Sequence, residues 1–143
     1  MTPNFHESMW TDQEIGIAIA IGRGMLIVPV RLGLDPYGFI GKYQGLQGIN
    51  KSPYQIALEI VKILLKNCQS QKKMVSALVS KFVESSSFLE AKDLIALIEE
   101  VEWLDELLIE KMKIASSENS QVKNASGVPE KIEVLAGKFS VIE

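Results

Sequence analysis

Apolar and polar positions divide the chain into a first part that mixes strand and helix patterns and a second part that is helical throughout. The run "MLIVPV" (Met25–Val30) is short, wholly apolar and rich in β-branched residues. That composition is typical of a strand buried on both faces, as in a parallel sheet. Pro29 lacks a ladder donor, so we expect it near the end of the strand.

A helix is predicted over Ser52–Lys66. Ser52 is a good N-cap, Pro53 suits the first helical position, and Gln55 completes a capping box. One apolar stripe recurs at helical spacing, which predicts a buried face made of Ile56, Ile60, Ile63 and Leu64.

Two patterns compete over Thr11–Gly24. The isoleucines Ile15, Ile17, Ile19 and Ile21 alternate with glycine and alanine, which favours a strand. Against this, "TDQE" is a capping box with Thr11 as N-cap and Glu14 at the third helical position, and Gly22 and Gly24 can stop a helix. We favour a helix packed closely on a sheet. On this local pattern Glu14 is a capping residue.

The second part of the chain has the 3.6-residue period of packed helices. It predicts helices at about 71–84, 88–115 and 129–139, with a bend near Asp105 and a polar loop over 116–127. We place the domain boundary near Asn67–Ser70, which gives domains at 1–67 and 68–143. The acidic residues of this part are expected to form a solvated face: Glu99, Glu100, Glu102, Asp105, Glu106 and Glu110.

Composition excludes several classes of function. Hydrophobic residues make up 47% and charged residues 23%, and the net charge is −3 with no basic block. A folded protein that binds no nucleic acid is therefore expected. One cysteine (Cys68) and one histidine (His6) are too few for an internal disulfide or a Cys/His metal site, and they fit a cytoplasmic location. The apolar run Ile15–Val30 is too short for a membrane span and contains Arg23, so we expect no membrane insertion.

Three short motifs occur in order within residues 1–67. "SMWTDQE" has the form S-x-W-x-x-x-E from Ser8 to Glu14, "VPV" is Val28–Val30, and "DPYGF" is Asp35–Phe39. This series resembles the C-terminal half of a bacterial TIR (Toll/interleukin-1 receptor) domain. The resemblance covers less than half of the chain, and residues 68–143 resemble no family that we recognise.

The resemblance implies a partial flavodoxin-like α/β fold, with a parallel sheet, flanking helices and an all-α extension after it. The family's third helix would be Thr11–Arg23, its fourth strand Met25–Val30, and its fifth strand or a remnant of it Gln44–Ile49. Many members cleave NAD⁺ at the nicotinamide–ribose bond, with NAD⁺ as substrate and no cofactor. The family's catalytic glutamate corresponds to Glu14.

Ser8 and Trp10 correspond to neighbouring positions of the family's motif, where the resemblance implies substrate-binding support of the pocket. It also implies TIR–TIR self-association and a role in bacterial defence or signalling. The first two strands and helices of the family's domain would precede Met1, so the chain is expected to be a truncated form whose own NAD⁺ hydrolase activity stays open. The alternative is a non-catalytic TIR module for protein–protein interaction and signal transduction.

Overall fold

The computed structural model describes residues 1–21 and 26–139. The chain divides into two compact units, Met1–Ile63 and Leu64–Glu143, so the division falls within the helix that the sequence places before the boundary. The sequence features on residues 22–25, namely the two glycine stops, Arg23 and the predicted strand start, lie outside the described residues. The side chain of His6 is likewise outside the described part of the structure.

A small parallel sheet and a majority of helix make the chain an α/β element joined to a helical extension. Strand β1 (Val30–Arg31) pairs with β2 (Leu46–Gln47) in parallel, with Val30 opposite Leu46. The prediction of a strand over Met25–Val30 is wrong for residues 26–29, which have no regular structure. Pro29 supplies no N–H, but its carbonyl oxygen accepts a hydrogen bond of 2.8 Å from the Leu46 N–H, and pairing begins there.

Backbone contacts extend the pairing on both sides of β1. On the far side from β2, the amino group of Met1 donates to the Val30 carbonyl oxygen, and the Leu32 N–H donates to the Met1 carbonyl oxygen at 2.8 Å. On the near side, the Gly48 N–H donates to the Arg31 carbonyl oxygen at 2.8 Å. Met1 therefore forms two backbone hydrogen bonds with β1, in the pattern of a neighbouring parallel strand.

A 3-10 turn (Pro3–Glu7) leads directly into helix α1 (Met9–Ile21). The helical interpretation of the Thr11–Gly24 segment is therefore confirmed as far as Ile21. A second 3-10 turn, Gly38–Ile40, follows β1.

Helix α2 (Pro53–Lys66) starts as the capping box predicts. The Gln55 N–H donates to the Ser52 hydroxyl at 3.2 Å, and the Ser52 N–H donates to the Gln55 side-chain oxygen at 2.8 Å. These reciprocal bonds satisfy two donors that a helix start otherwise leaves without a partner. Proline at the next position has no N–H to satisfy.

In the described part of the second unit, five helices follow α2: α3 (Gln71–Val83), α4 (Phe88–Glu99), α5 (Glu106–Glu118), α6 (Ser120–Lys123) and α7 (Val128–Phe139). One continuous helix over 88–115 is wrong, because α4 ends at Glu99 and Asp105 caps a new helix. The Asp105 carboxylate accepts a bond of 2.8 Å from the Leu108 N–H. The polar loop over 116–127 is wrong as well, since α5 runs to Glu118 and α6 follows it.

The core of the second unit is a continuous set of apolar side chains from all five helices and from the connection between α4 and α5. Its largest fully buried members are Phe82, Ile95, Ile98, Met112, Ile132, Val75, Val79, Val101, Val122 and Val128. Burial of each such side chain contributes about 1.5–3 kcal/mol to folding.

Among the described helices, none has the length and apolar character that crossing a membrane requires.

Candidate functional site

The start of α1 differs from the predicted capping box. Helix α1 begins at Met9, so Thr11 is its third residue and not its N-cap. The Thr11 hydroxyl shares its proton between the carbonyl oxygens of Ser8, at 2.7 Å, and Phe5, at 3.1 Å. The role of Glu14 as the partner of a Thr11 cap is therefore wrong. After the 3-10 turn, the helix begins three residues earlier than "TDQE" indicates, at Met9 instead of Asp12.

The three residues of the motif lie at the N-terminal half of α1. Ser8 is exposed and immediately precedes the helix, Trp10 is its second residue, and Glu14 is exposed one turn later. Trp10 and Glu14 are four residues apart, so their side chains are neighbours on the helix surface. Geometry thus brings the aromatic ring and the carboxylate to the same face.

That face continues along the whole helix. Trp10, Glu14, Ile17 and Ile21 fall within roughly 60° of one another around an α-helix. Trp10 is 75% exposed, Ile17 57% and Ile21 76%. We call these four residues the exposed face of α1. Three large apolar side chains along one helix face, all mostly in water, are unusual for a packed helix.

The opposite side of α1 faces a cavity of about 190 Å³ in the first unit. Asp12 and Ile15 line it from the helix, and Tyr37, Gly38 and Ile40 line it from the loop after β1. The Tyr37 hydroxyl donates to Asp12 Oδ1 at 3.0 Å. Asp12 is thus the carboxylate of α1 that reaches a cavity, whereas neither Ser8, Trp10 nor Glu14 lines this one.

Tyr37 is held from two directions. Its ring meets the Phe5 ring edge to face, with centroids 6.4 Å apart and planes at 79°. Burial of the hydroxyl and its hydrogen bond to Asp12 both raise the pKa of Tyr37. The phenol therefore stays protonated and keeps donating to the carboxylate at neutral pH. Tyr37 lies in "DPYGF" and Asp12 in "TDQE", but no pattern predicts contact between residues 25 positions apart.

The second unit has a groove of about 510 Å³ between the ends of α3 and α5. Val83, Ile114 and Ala115 supply its apolar part, and its charged residues include Glu84, Lys111 and Glu118.

The predicted acidic face agrees with the structure at five of its six positions, which are exposed, while Asp105 is half-buried. Within residues 1–21 and 26–139, no group of three His, Cys, Asp or Glu side chains could hold a metal ion.

Comparison with models of known families, with curated proteins and with solved structures found no match to this chain.

Proposed function

We propose that this chain is a TIR-like signalling module, located in the cytoplasm, whose first unit acts by self-association through the exposed face of α1. The observation that carries the proposal is the line of Trp10, Ile17 and Ile21 on one side of a helix, each more than half exposed. Burying large apolar side chains of this kind between two molecules is the main source of association free energy.

The exposed face of α1 is compatible with pairing to a second copy of itself. In an antiparallel pair of α1 helices, Trp10 lies opposite Ile21 of the other copy, and Glu14 lies opposite Ile17. Residues 10 and 21 have the same midpoint along the helix as residues 14 and 17. A single two-fold axis through that midpoint therefore generates both contacts. The two Glu14 carboxylates then stand on either side of the axis rather than facing each other.

A flavodoxin-like arrangement of the first unit is part of this proposal. The bonds of Met1 with Val30 and Leu32, together with the pairing of β1 with β2, support three parallel positions in the order Met1, β1, β2. Helix α1 lies between the first and second positions in sequence, as a crossover helix in such folds does.

Self-association is tested by sedimentation velocity on the full chain over a range of concentrations. Wild type is expected to form a dimer, and Ile17→Glu is expected to be monomeric because the new carboxylate would face Glu14 of the other copy and the two like charges repel. Ile49→Glu is the matched control, since Ile49 is an exposed isoleucine of the same unit outside α1. A wild-type monomer at the highest soluble concentration, or a dimer that survives Ile17→Glu, would overturn the proposal.

Cleavage of NAD⁺ is a second candidate function, favoured by the adjacency of Trp10 and Glu14 at the start of α1. In that reaction the bond between ribose C1′ and the nicotinamide nitrogen breaks, and its electron pair leaves with neutral nicotinamide. Water then adds to C1′ and one proton is released. A carboxylate can stabilise the positive charge that develops on the ribose, as in glycoside hydrolysis.

Exposure of Glu14 limits this second candidate. A carboxylate in contact with bulk water stabilises a nearby cation by only about 1 kcal/mol at 4 Å, because water screens the charge. Efficient cleavage would need another surface over Glu14. The test is nicotinamide release from NAD⁺ by the full chain, with Glu14→Gln against Glu7→Gln, another exposed acid of the first unit. If Glu14→Gln releases nicotinamide as fast as wild type, or if wild type releases none, Glu14 has no catalytic role in this reaction.

A further inference from the structure

The cavity between α1 and the loop after β1 has the position of a ligand site. Open parallel sheets bind ligands outside the carboxyl ends of their strands, where helix starts and strand-exit loops meet. Asp12 lies in the first turn of α1, and Tyr37 lies in the loop that leaves β1. The cavity of about 190 Å³ that they line is therefore at the end of the sheet where ligands are expected.

The hydrogen-bonding groups of Tyr37 and Asp12 define which ligand groups the cavity can bind. The Tyr37 hydroxyl uses its single proton on Asp12 Oδ1, so its oxygen faces a ligand only as an acceptor. The Asp12 carboxylate is also an acceptor when ionised. The two polar side chains among the described lining residues therefore require donors from a ligand, and one of them is a carboxylate.

Apolar contacts define the rest of the ligand. Ile15 and Ile40 form walls of the cavity, and Ile40 is buried. Gly38 has φ +56°, and a Cβ there would meet no atom within 4 Å, so the loop leaves room beside the polar pair. The volume equals that of about six water molecules in the liquid, which is enough for one small ring with a polar head.

We propose that this cavity binds a small organic cation, whose N–H-bearing head (an amidine, guanidine or primary amine) donates to Asp12 and Tyr37 and whose apolar body packs against Ile15 and Ile40. The cavity lies on the side of α1 opposite the exposed face. The proposal is therefore independent of self-association and of any chemistry at Glu14, and it survives the failure of either.

Benzamidine is a suitable probe because it joins an amidinium to one flat ring. It is titrated into the isotope-labelled full chain while the backbone amide signals of Ile15, Tyr37 and Gly38 are followed by NMR. Saturable shifts centred on these residues are expected. Benzamide, which has nearly the same shape without the charge, is expected to bind about fivefold more weakly, and benzoate is expected not to bind.

Variants separate the site from non-specific binding. Asp12→Asn keeps an acceptor oxygen but removes the charge; because Asp12 is exposed to water, the variant is expected to weaken benzamidine binding about fivefold. Tyr37→Phe keeps the ring and removes only the hydroxyl, and it is expected to weaken binding severalfold, which provides a second test should Asp12→Asn perturb folding. Asp93→Asn removes an exposed carboxylate of the second unit and is expected to leave the Kd unchanged.

Three outcomes would overturn the proposal. They are an absence of saturable shifts in the wild-type chain, equal affinity for benzamidine and benzamide, and equal affinity of benzamidine for wild type and for both cavity variants. Equal binding of the neutral and charged probes would identify a site for neutral donors instead.

Discussion

The side-chain amide of Asn119 donates a hydrogen bond of 3.0 Å to the carbonyl oxygen of Val83, the last residue of α3. The same nitrogen donates to the Ser85 carbonyl oxygen at 3.0 Å, and the side-chain oxygen accepts from the Gln121 N–H at 2.8 Å, where it caps α6. One asparagine therefore satisfies backbone groups at the end of one helix and the start of another.

Replacement of Asn119 by alanine is expected to lower the free energy of unfolding of the second unit by about 2–3 kcal/mol. The change removes a cap and leaves carbonyl groups near the end of α3 without their partner. The measurement is urea unfolding followed by Trp103 fluorescence in a Trp10→Phe background, since the chain has two tryptophans.

Asn124→Ala is the matched control for Asn119, because Asn124 is an exposed asparagine just after α6. It is expected to change the free energy of unfolding by about 0.5 kcal/mol or less. Similar losses from the two variants would show that the Asn119 contacts do not stabilise the unit.

Phe82→Ala is expected to destabilise the second unit by about 3–5 kcal/mol, because Phe82 is fully buried and its removal leaves a cavity. Leu107→Ala, at a position of the same unit that is 65% exposed, is expected to cost less than about 0.5 kcal/mol. Thermal and urea unfolding of both variants measure the difference. A loss at Phe82 no larger than the loss at Leu107 would contradict the assigned core.

Glu90 makes the second unit sensitive to acid. Its carboxylate accepts from the Ser86 N–H at 2.7 Å, lies 2.9 Å from the Lys81 ammonium and accepts from the Ser86 hydroxyl at 2.8 Å. These contacts lower the pKa of Glu90 from 4.5 to about 2. Because the folded-state pKa is the lower one, the stabilisation is complete above about pH 4.5 and is lost as the pH falls through about 2.

The expected result is that wild type exceeds Glu90→Gln in free energy of unfolding at neutral pH and that this difference shrinks as the pH falls below about 4.5. Urea unfolding at stepped pH values measures it. Glu110→Gln, which removes a negative charge from an exposed position on α5, is the control. The same pH-dependent difference for both variants would assign the effect to net charge instead of to the contacts of Glu90.

Two glycines of the first unit are expected to respond in opposite directions to alanine. A Cβ on Gly48 would lie 2.7 Å from Leu32 Cδ2 and 3.0 Å from the Arg31 carbonyl oxygen, so Gly48→Ala is expected to destabilise the unit by about 1–3 kcal/mol. A Cβ on Gly16, within α1, would meet nothing within 4 Å. Gly16→Ala is therefore expected to stabilise the helix by about 0.5–1 kcal/mol.

Unfolding of the first unit is followed in urea by the backbone amide NMR signals of Val30 and Leu46, because Trp10 is 75% exposed and its fluorescence is a poor reporter of unfolding. A Gly48→Ala variant as stable as wild type would show that the approach of β2 to β1 does not require a glycine.

The two capping boxes of the first unit show how far local sequence predicts this fold. "SPYQ" and "TDQE" carry the same signal, yet only the first caps a helix. Proline after Ser52 suits only the first helical position and so fixes the start of α2. Before Thr11 the chain is already turning through Pro3–Glu7, and α1 starts at Met9.

The helices of the second unit follow from periodicity, but the gap between α4 and α5 does not. Apolar residues continue at helical spacing from α4 into α5, so the pattern predicts only a bend near Asp105 and not the end of one helix and the start of another. The break arises because Asp105 caps a new helix, and that depends on the packing of Val101 and Leu104. The cavity pair Asp12 and Tyr37 is unpredictable for the same reason, since two segments must first be packed together.

The short connection between α4 and α5 has a consequence for proteolysis. Glu99, Glu100 and Glu102 are exposed, so a glutamate-specific protease meets three acceptable side chains there. Cleavage also requires the backbone to be drawn into an extended form, and Val101 and Leu104 are buried while Lys138 Nζ donates to the Val101 carbonyl oxygen at 3.4 Å. The segment therefore resists limited digestion until the helical unit opens, and its first cut reports unfolding rather than surface accessibility.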